Sequence, residues 1–426
     1  MIHTLLALSL ASFAQPELVA DLRERAVHVR SIDPADDDFA DLEPLAPLLA
    51  QARIVNLGEQ SHGDGAAFLA KVRLIKFLHQ RLGFDVLIFE SGFFDCRLAD
   101  DALAAGAPAE FSADMGVFGI WTQSAQVMPL FEYVRATRST DRPLTLAGFD
   151  CQNSGSADAL PRVVIDFFNA VPDLLTDRDH TRLRAIIAAL IDEPASLTDD
   201  DETFLAALEV LARDERLARV HPPAETASMR RILLNARAFV SMQRVLTSEK
   251  AIRDPSPVAK DALNLREKMM ADTLVFLARD LYPDRKLITW GASAHLMHGS
   301  RGVTMRDPLG KWSTFEPWWI PMGDHVRAQL AEETYTVAFL AHSGQAGSVF
   351  GRPWDLPPPP AGSLDALCHD TGLPFLFLDL RSLPQEHPLR QPRVARPRGY
   401  AEMRADWATT CDAFFFTDRM TPSTRR

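Results

Sequence analysis

A chain of 426 residues that is 47% hydrophobic and 24% charged can bury a large core, and its length allows two or three domains. Its 45 basic residues against 57 acidic ones give a net charge of −12, which excludes a basic nucleic-acid groove. Cys96, Cys151, Cys368 and Cys411 lie far apart with no C-x-x-C pair, so they read as buried thiols, with neither a zinc finger nor a demanded disulfide framework.

Leu5–Ala14 is a short apolar run ending in small residues, with Ser12 and Ala14 suited to a signal-peptidase site. The segment before it, Met-Ile-His-Thr, lacks Lys and Arg. Residues 1–15 are therefore a candidate short signal peptide, and cytoplasmic and exported locations both stay open. The run is too short to span a bilayer and no other segment qualifies, so a soluble protein is expected.

Residues 16–154 are expected to form the N-terminal part of an α/β core. Pro16–Leu49 is acidic and reads as a leading helix plus loop. The stretch from Ile54 to Glu90 parses as strand, loop, helix, strand. Ile54–Leu57 is apolar, Gly58-Glu59-Gln60-Ser61-His62-Gly63 is a polar loop, Ala66–Leu82 has helical spacing stopped by Gly83, and Asp85–Phe89 is a second buried-type strand. Two strands joined by such a helix make a right-handed parallel crossover, and ligands collect at the carboxyl ends of strands in open α/β sheets. A glycine turn follows Glu90. Trp121 lies just before a helix expected from about Ser124 to Ala136, and a third strand, Leu144–Phe149, ends in Asp150.

Residues 155–280 carry i, i+3/i+4 apolar spacing without strand alternation, and read as a large α-helical insertion over the sheet. Strands resume within 281–426 as Lys286–Trp290, Tyr335–Leu340, Phe375–Asp379 and Ala413–Thr417, and Pro353–Pro360 is an extended proline loop. The expected fold is α/β: a mostly parallel central sheet flanked by helices, with that helical insertion. Nothing in the sequence specifies an oligomeric state.

His62, three residues after Glu59 in a glycine-bounded loop, suits a general base whose tautomer a carboxylate fixes. Glu90 ends what reads as the neighbouring strand and can face the same cleft. Lys71 falls on the apolar face of its helix with Phe68, Val72, Ile75 and Leu78, where it either holds a carboxylate or oxyanion in the cleft or snorkels to solvent. Arg73 falls opposite and reads as ordinary surface. His295 and His298 follow the strand ending at Trp290. With His62 and Glu90 they admit a divalent metal, but no HExxH or tight ligand cluster indicates one, so no cofactor is assigned. His28, His79, His180, His221, His342, His369 and His387 have no local context that favours chemistry. No G-x-S-x-G is present, which disfavours a serine nucleophile, and Ser61 beside His62 is a weak substitute.

In order along the chain, GEQSHG, FDVLIFESG, LAGFDCQ, LNLREKMMADTLVFL and KLITWGASAHLMHG together resemble the erythromycin esterase family, over about residues 30–420. The resemblance implies metal-independent hydrolysis of an ester or macrolide lactone by water activated at His62. Glu59 and Glu90 then orient and tune the site, and His295 binds or polarises the reacting group. It also places Arg266 at a family position, and Lys71, Asp150, Arg266, His298 and Trp121 are the expected substrate-binding residues. One position departs: the first histidine of the family's paired motif is Ala292 here. Two other readings stay open, a metal-dependent hydrolase using His62, Glu90 and His295, and a non-catalytic binding or biosynthetic-accessory protein that keeps the cleft.

Overall fold

The structure is a computed structural model, and it describes residues 15–155, 157–246 and 255–426; the candidate signal run lies outside them. The strands are β1 (Val27–His28), β2 (Ile54–Leu57), β3 (Phe84–Gly92), β4 (Thr145–Asp150), β5 (Lys286–Trp290), β6 (Thr304–Arg306), β7 (Trp312–Thr314), β8 (Thr334–Ala346), β9 (Trp354–Asp355), β10 (Phe375–Asp379), β11 (Arg393–Ala395), β12 (Met403–Ala405) and β13 (Ala413–Met420). Among the described residues the main sheet has nine strands in the order β1-β10-β13-β8-β2-β5-β3-β4, with β9 paired to β8. The run from β13 to β4 is parallel throughout, whereas β1, β10 and β9 pair antiparallel. The chain is thus the expected mostly parallel α/β fold.

The parallel strands are buried on both faces, as covered parallel sheets require. Val55, Leu57, Leu87, Phe89, Ile288 and Trp290 pack on one side with the Gly65–Leu82 helix. Ile54, Val86, Ile88, Phe149 and Leu287 face the other way, onto the helices between residues 160 and 276. The Gly65–Leu82 helix stops at Gly83, whose φ of 77° is the left-handed C-cap conformation that a Cβ disfavours. A third core joins alternate residues of β8, β10 and β13 to the Leu364–Asp370 helix.

Several sequence expectations need correction. Glu90 does not end the strand next to β2, because β5 lies between β2 and β3. Arg73 is not on the surface. It is 1% exposed, donates to both Asp41 carboxylate oxygens, and reaches the carbonyls of Ser31, Asp36 and Asp38. The N-terminal segment, through Val29, Phe39 and Leu42, covers the outer side of its helix, so both helix faces are interior. The helix expected from about Ser124 begins only at Met128 and runs to Thr137, since residues 124–126 instead bond the C-terminal strip around Thr424; Trp121 sits in a separate short helix, Gly119–Thr122. A separate four-stranded sheet, β11-β12-β6-β7, was not foreseen; strands of three residues are too short to show alternation. No helix among the described residues is long and apolar enough to cross a membrane.

Candidate active site

The register of three adjacent strands brings the site together. Leu57 and Phe89 both align with Trp290, so Glu59, Glu90 and the Gly291–His295 turn come just after one level near the carboxyl end of the sheet. Asp150 ends β4 beside them. The register gathers Glu59, Glu90, Asp150 and the Gly291–His295 turn at this end of the sheet, and side-chain contacts join His62, Lys71, Trp121 and Arg266 to them.

Glu59 is fully buried and its carboxylate is saturated. Oε1 accepts from His62 Nδ1 at 2.7 Å and from Trp121 Nε1 at 3.1 Å, and Oε2 accepts from Lys71 Nζ at 2.7 Å. Burial alone would push its pKa up, but the Lys71 charge and the His62 hydrogen bond outweigh it and hold Glu59 below the usual carboxylate range. With Nδ1–H committed to Glu59, the other ring nitrogen of His62 is the one left to accept a proton. The imidazole stands edge-on to Trp121, and 41% of the side chain is open even though the surrounding protein desolvates it. That desolvation lowers its pKa, the Glu59 bond and the Glu59 and Glu90 charges raise it, and the net shift is upward.

Lys71 sits in this arrangement as a counter-ion. Its ammonium is fully buried, lies 4.0 Å from the Trp290 ring centroid, and is pushed down to about 8 by burial against the pull of Glu59. Neither Lys71 nor Trp121 offers surface to a substrate, since both are fully buried and spend their donors on Glu59.

A second charged set lies beyond it. Glu90 Oε1 is 3.3 Å from both His295 Nε2 and Arg266, and Glu90 Oε2 accepts the Ala292 N–H at 2.7 Å. Arg266 in turn grips Asp150 Oδ2 at 2.6 Å. His295 Nδ1 is 2.7 Å from Glu267 Oε1, and both of its carboxylate contacts are close ion pairs, not well-aligned hydrogen bonds. Burial disfavours its charge, but Glu267 and Glu90 lift its pKa to about 10, so it is an imidazolium at neutral pH. His295 first, then the charges of His62 and Arg266, overcome burial to hold Glu90 far below the ordinary range. Ala292, at the position of the missing histidine, contributes its main chain alone.

His298 is buried away from this set. Its backbone N–H bonds the Thr410 carbonyl, and its side chain is depressed by burial and then by the charge of Arg327. Two residues were not found from the sequence. Glu267, next to Arg266 in the same helix, holds His295 and accepts the Met322 N–H at 2.8 Å. Asp64 closes the His62 loop by accepting Ser61 N–H and the Tyr400 hydroxyl, both at 2.9 Å, and burial raises it to about 7. The charge next to Arg266 was a visible signal; Tyr400, 336 residues from Asp64, gave none.

As for a metal, His62, Glu90 and His295 do not form a compact ligand set. Among the described residues, the set whose ligand atoms all lie within 4.8 Å of one another is His342, His369 and Asp418.

The erythromycin esterase family model matches residues 79–420, a stretch that holds Glu90, Asp150, Arg266, Glu267 and His295 and begins after Glu59, His62 and Lys71. The chain belongs to the erythromycin esterase family. Within the family it is 28% identical over 422 residues to the Bacillus subtilis (strain 168) protein named "Putative hydrolase YbfO", covering 93% of this chain and 90% of that one. It is 22% identical over 381 residues to the Escherichia coli erythromycin esterase type II, covering 82% and 86%. A solved structure of an erythromycin esterase mutant in its open conformation shares the fold, with a TM-score of 0.72 at 16% identity over 94% of this chain and 98% of that one.

Proposed function

We propose that the protein is an ester or lactone hydrolase in which His62 activates water directly. The observation that carries this reading is the Glu59–His62 pair at 2.7 Å: a carboxylate that holds Nδ1–H leaves the other ring nitrogen to act as the base. Water loses a proton to that nitrogen as its oxygen attacks the carbonyl carbon. The tetrahedral intermediate collapses by breaking the carbon–oxygen bond to the alcohol, which takes the proton back from His62. Glu59 steadies the imidazolium in between, and Lys71 and Trp121 keep Glu59 ionised and in place. His295, charged and held between Glu90 and Glu267, polarises the reacting group through its positive charge, since both ring nitrogens face carboxylates. Arg266, partly exposed and anchored by Asp150, is the substrate-binding candidate with open surface.

Family membership supports hydrolysis, and a relative named for erythromycin makes a macrolide lactone the first substrate to try. The test is turnover of a panel of esters and lactones, a 14-membered macrolide included, by the wild type and His62→Ala, read by mass spectrometry. Gain of one water that drops at least about a hundredfold in the variant is expected. Turnover unaffected by the substitution would refute His62 as base. No turnover on any ester or lactone would favour a binding or biosynthetic-accessory role for the same cleft.

A further inference from the structure

β8 and β13 run past the level of the active site as a parallel pair, with Thr417 aligned to Ala341 and Arg419 to Ser343. His342 and Asp418 are therefore side by side. Their neighbours two and four positions back, Leu340 and Ala338 on β8 and Phe416 and Phe414 on β13, belong to the core that meets the Leu364–Asp370 helix. That helix delivers His369 near its C-terminus. The His342 and His369 rings stack with centroids 3.8 Å apart and planes within 6°, and His369 Nδ1 is 2.6 Å from Asp418 Oδ1.

Two imidazoles and a carboxylate from three elements, with one ligand atom of each mutually within 4.8 Å, are the donor set of a zinc-class ion. A separate observation points the same way. His342 Nδ1 is buried and has no hydrogen-bond partner, although a buried ring nitrogen ordinarily has one. The nearby Arg396 guanidinium does not compete for Asp418: it is paired with Asp365 at 3.0 Å and caps the Ala341 and His342 carbonyls. We propose that His342, His369 and Asp418 form a binding site for a divalent transition-metal ion, separate from the catalytic cleft. The ion replaces the His369–Asp418 hydrogen bond. Ligands at about 2.0–2.2 Å in tetrahedral geometry lie roughly 3.3 Å apart, so the stacked rings tilt and the carboxylate moves aside by a fraction of that distance. Three protein ligands leave the fourth position to water. The ion would clip the Leu364–Asp370 helix to the two strand ends; the segment after β8 bonds the His62 loop, through Gly347 N–H to the Gly63 carbonyl at 3.1 Å.

The test uses untagged full-length protein stripped with chelator and then titrated with zinc chloride by calorimetry, or with cobalt(II) read by visible absorption. About one equivalent should bind with micromolar or tighter affinity. His369→Ala and Asp418→Asn, both at partly exposed side chains, should each weaken binding at least tenfold, while His62→Ala should leave it unchanged. Free zinc at a hundredfold over its dissociation constant should raise the thermal midpoint of the wild type by roughly 2–3 °C and leave that of His369→Ala unmoved. The proposal is overturned if no ion is taken up, if His369→Ala binds as tightly as the wild type, or if His62→Ala abolishes uptake.

Discussion

With Glu59 sealed between His62, Trp121 and Lys71, removing its cation strands a buried carboxylate. Lys71→Met should cost about 3–5 kcal/mol, a drop of roughly 3–5 °C in thermal midpoint for a chain of this size. Adding Glu59→Gln to Lys71→Met should restore more than half of that loss; a double variant no more stable than the single one would show that the pair does not carry the cost. His295 makes a prediction in pH. Its folded pKa, about 10, lies above the unfolded value near 6.5. The stabilisation is therefore full below about pH 6.5 and is lost as pH rises through about 10. The thermal midpoint of the wild type should fall more steeply between pH 7 and 10 than that of His295→Asn, and parallel slopes would deny the shift. At this scale the sequence was legible in part. Spacing singled out Glu59, His62 and Lys71, because loop and helix register are local. It misjudged Arg73, because the segment that covers its helix comes from earlier in the chain and periodicity cannot see it.

The loop between β2 and its helix is held by close backbone packing. A Cβ on Gly63 would lie 2.5 Å from the Gly347 carbonyl carbon and 2.6 Å from the Ser348 nitrogen, neither of which can swing aside. Gly63→Ala should cost about 1–3 kcal/mol and lower kcat more than it raises KM, since it displaces His62 without touching the substrate pocket's walls. Steady-state kinetics checks this; a variant with wild-type kcat would show that the loop's position is not critical. The strands that hold this loop were easy to read where they are buried on both faces, as in β2, β5 and β10, whose limits match the apolar runs. The overhangs of β8 and β13 were missed because His342, Ser343, Asp418 and Arg419 interrupt the apolar run while the strand pairing continues. His342 and His369 looked idle for the same reason. Their context is the pairing of β8 with β13 and the packing of the Leu364–Asp370 helix on those strand ends, not a local pattern.

At the level of the molecule, the site is assembled from segments far apart in sequence. β2 and β3 come from the N-terminal part, β5 from the C-terminal part, and the helix Pro257–Phe276 between them supplies both Arg266 and Glu267. The C-terminal residues return to bond beside Asp64 and Ser124. The sequence showed which strands were buried and which ends were polar, and these suffice for an α/β sheet with chemistry at its carboxyl edge. It did not show strand order, and with it that β5 separates the two glutamate-bearing strands, because order is set by contacts between segments hundreds of residues apart.

Whether His62 is a base tuned by Glu59 is read from the pH dependence of kcat/KM on the best substrate of the panel. The rate should rise with pH through an acidic limb above 6.5, where His62 loses its proton. In Glu59→Gln the limb should move to lower pH, because the carboxylate that raises the His62 pKa is gone, and the plateau should fall. A limb that stays where it was in Glu59→Gln, or no limb near the histidine range at all, would contradict the account.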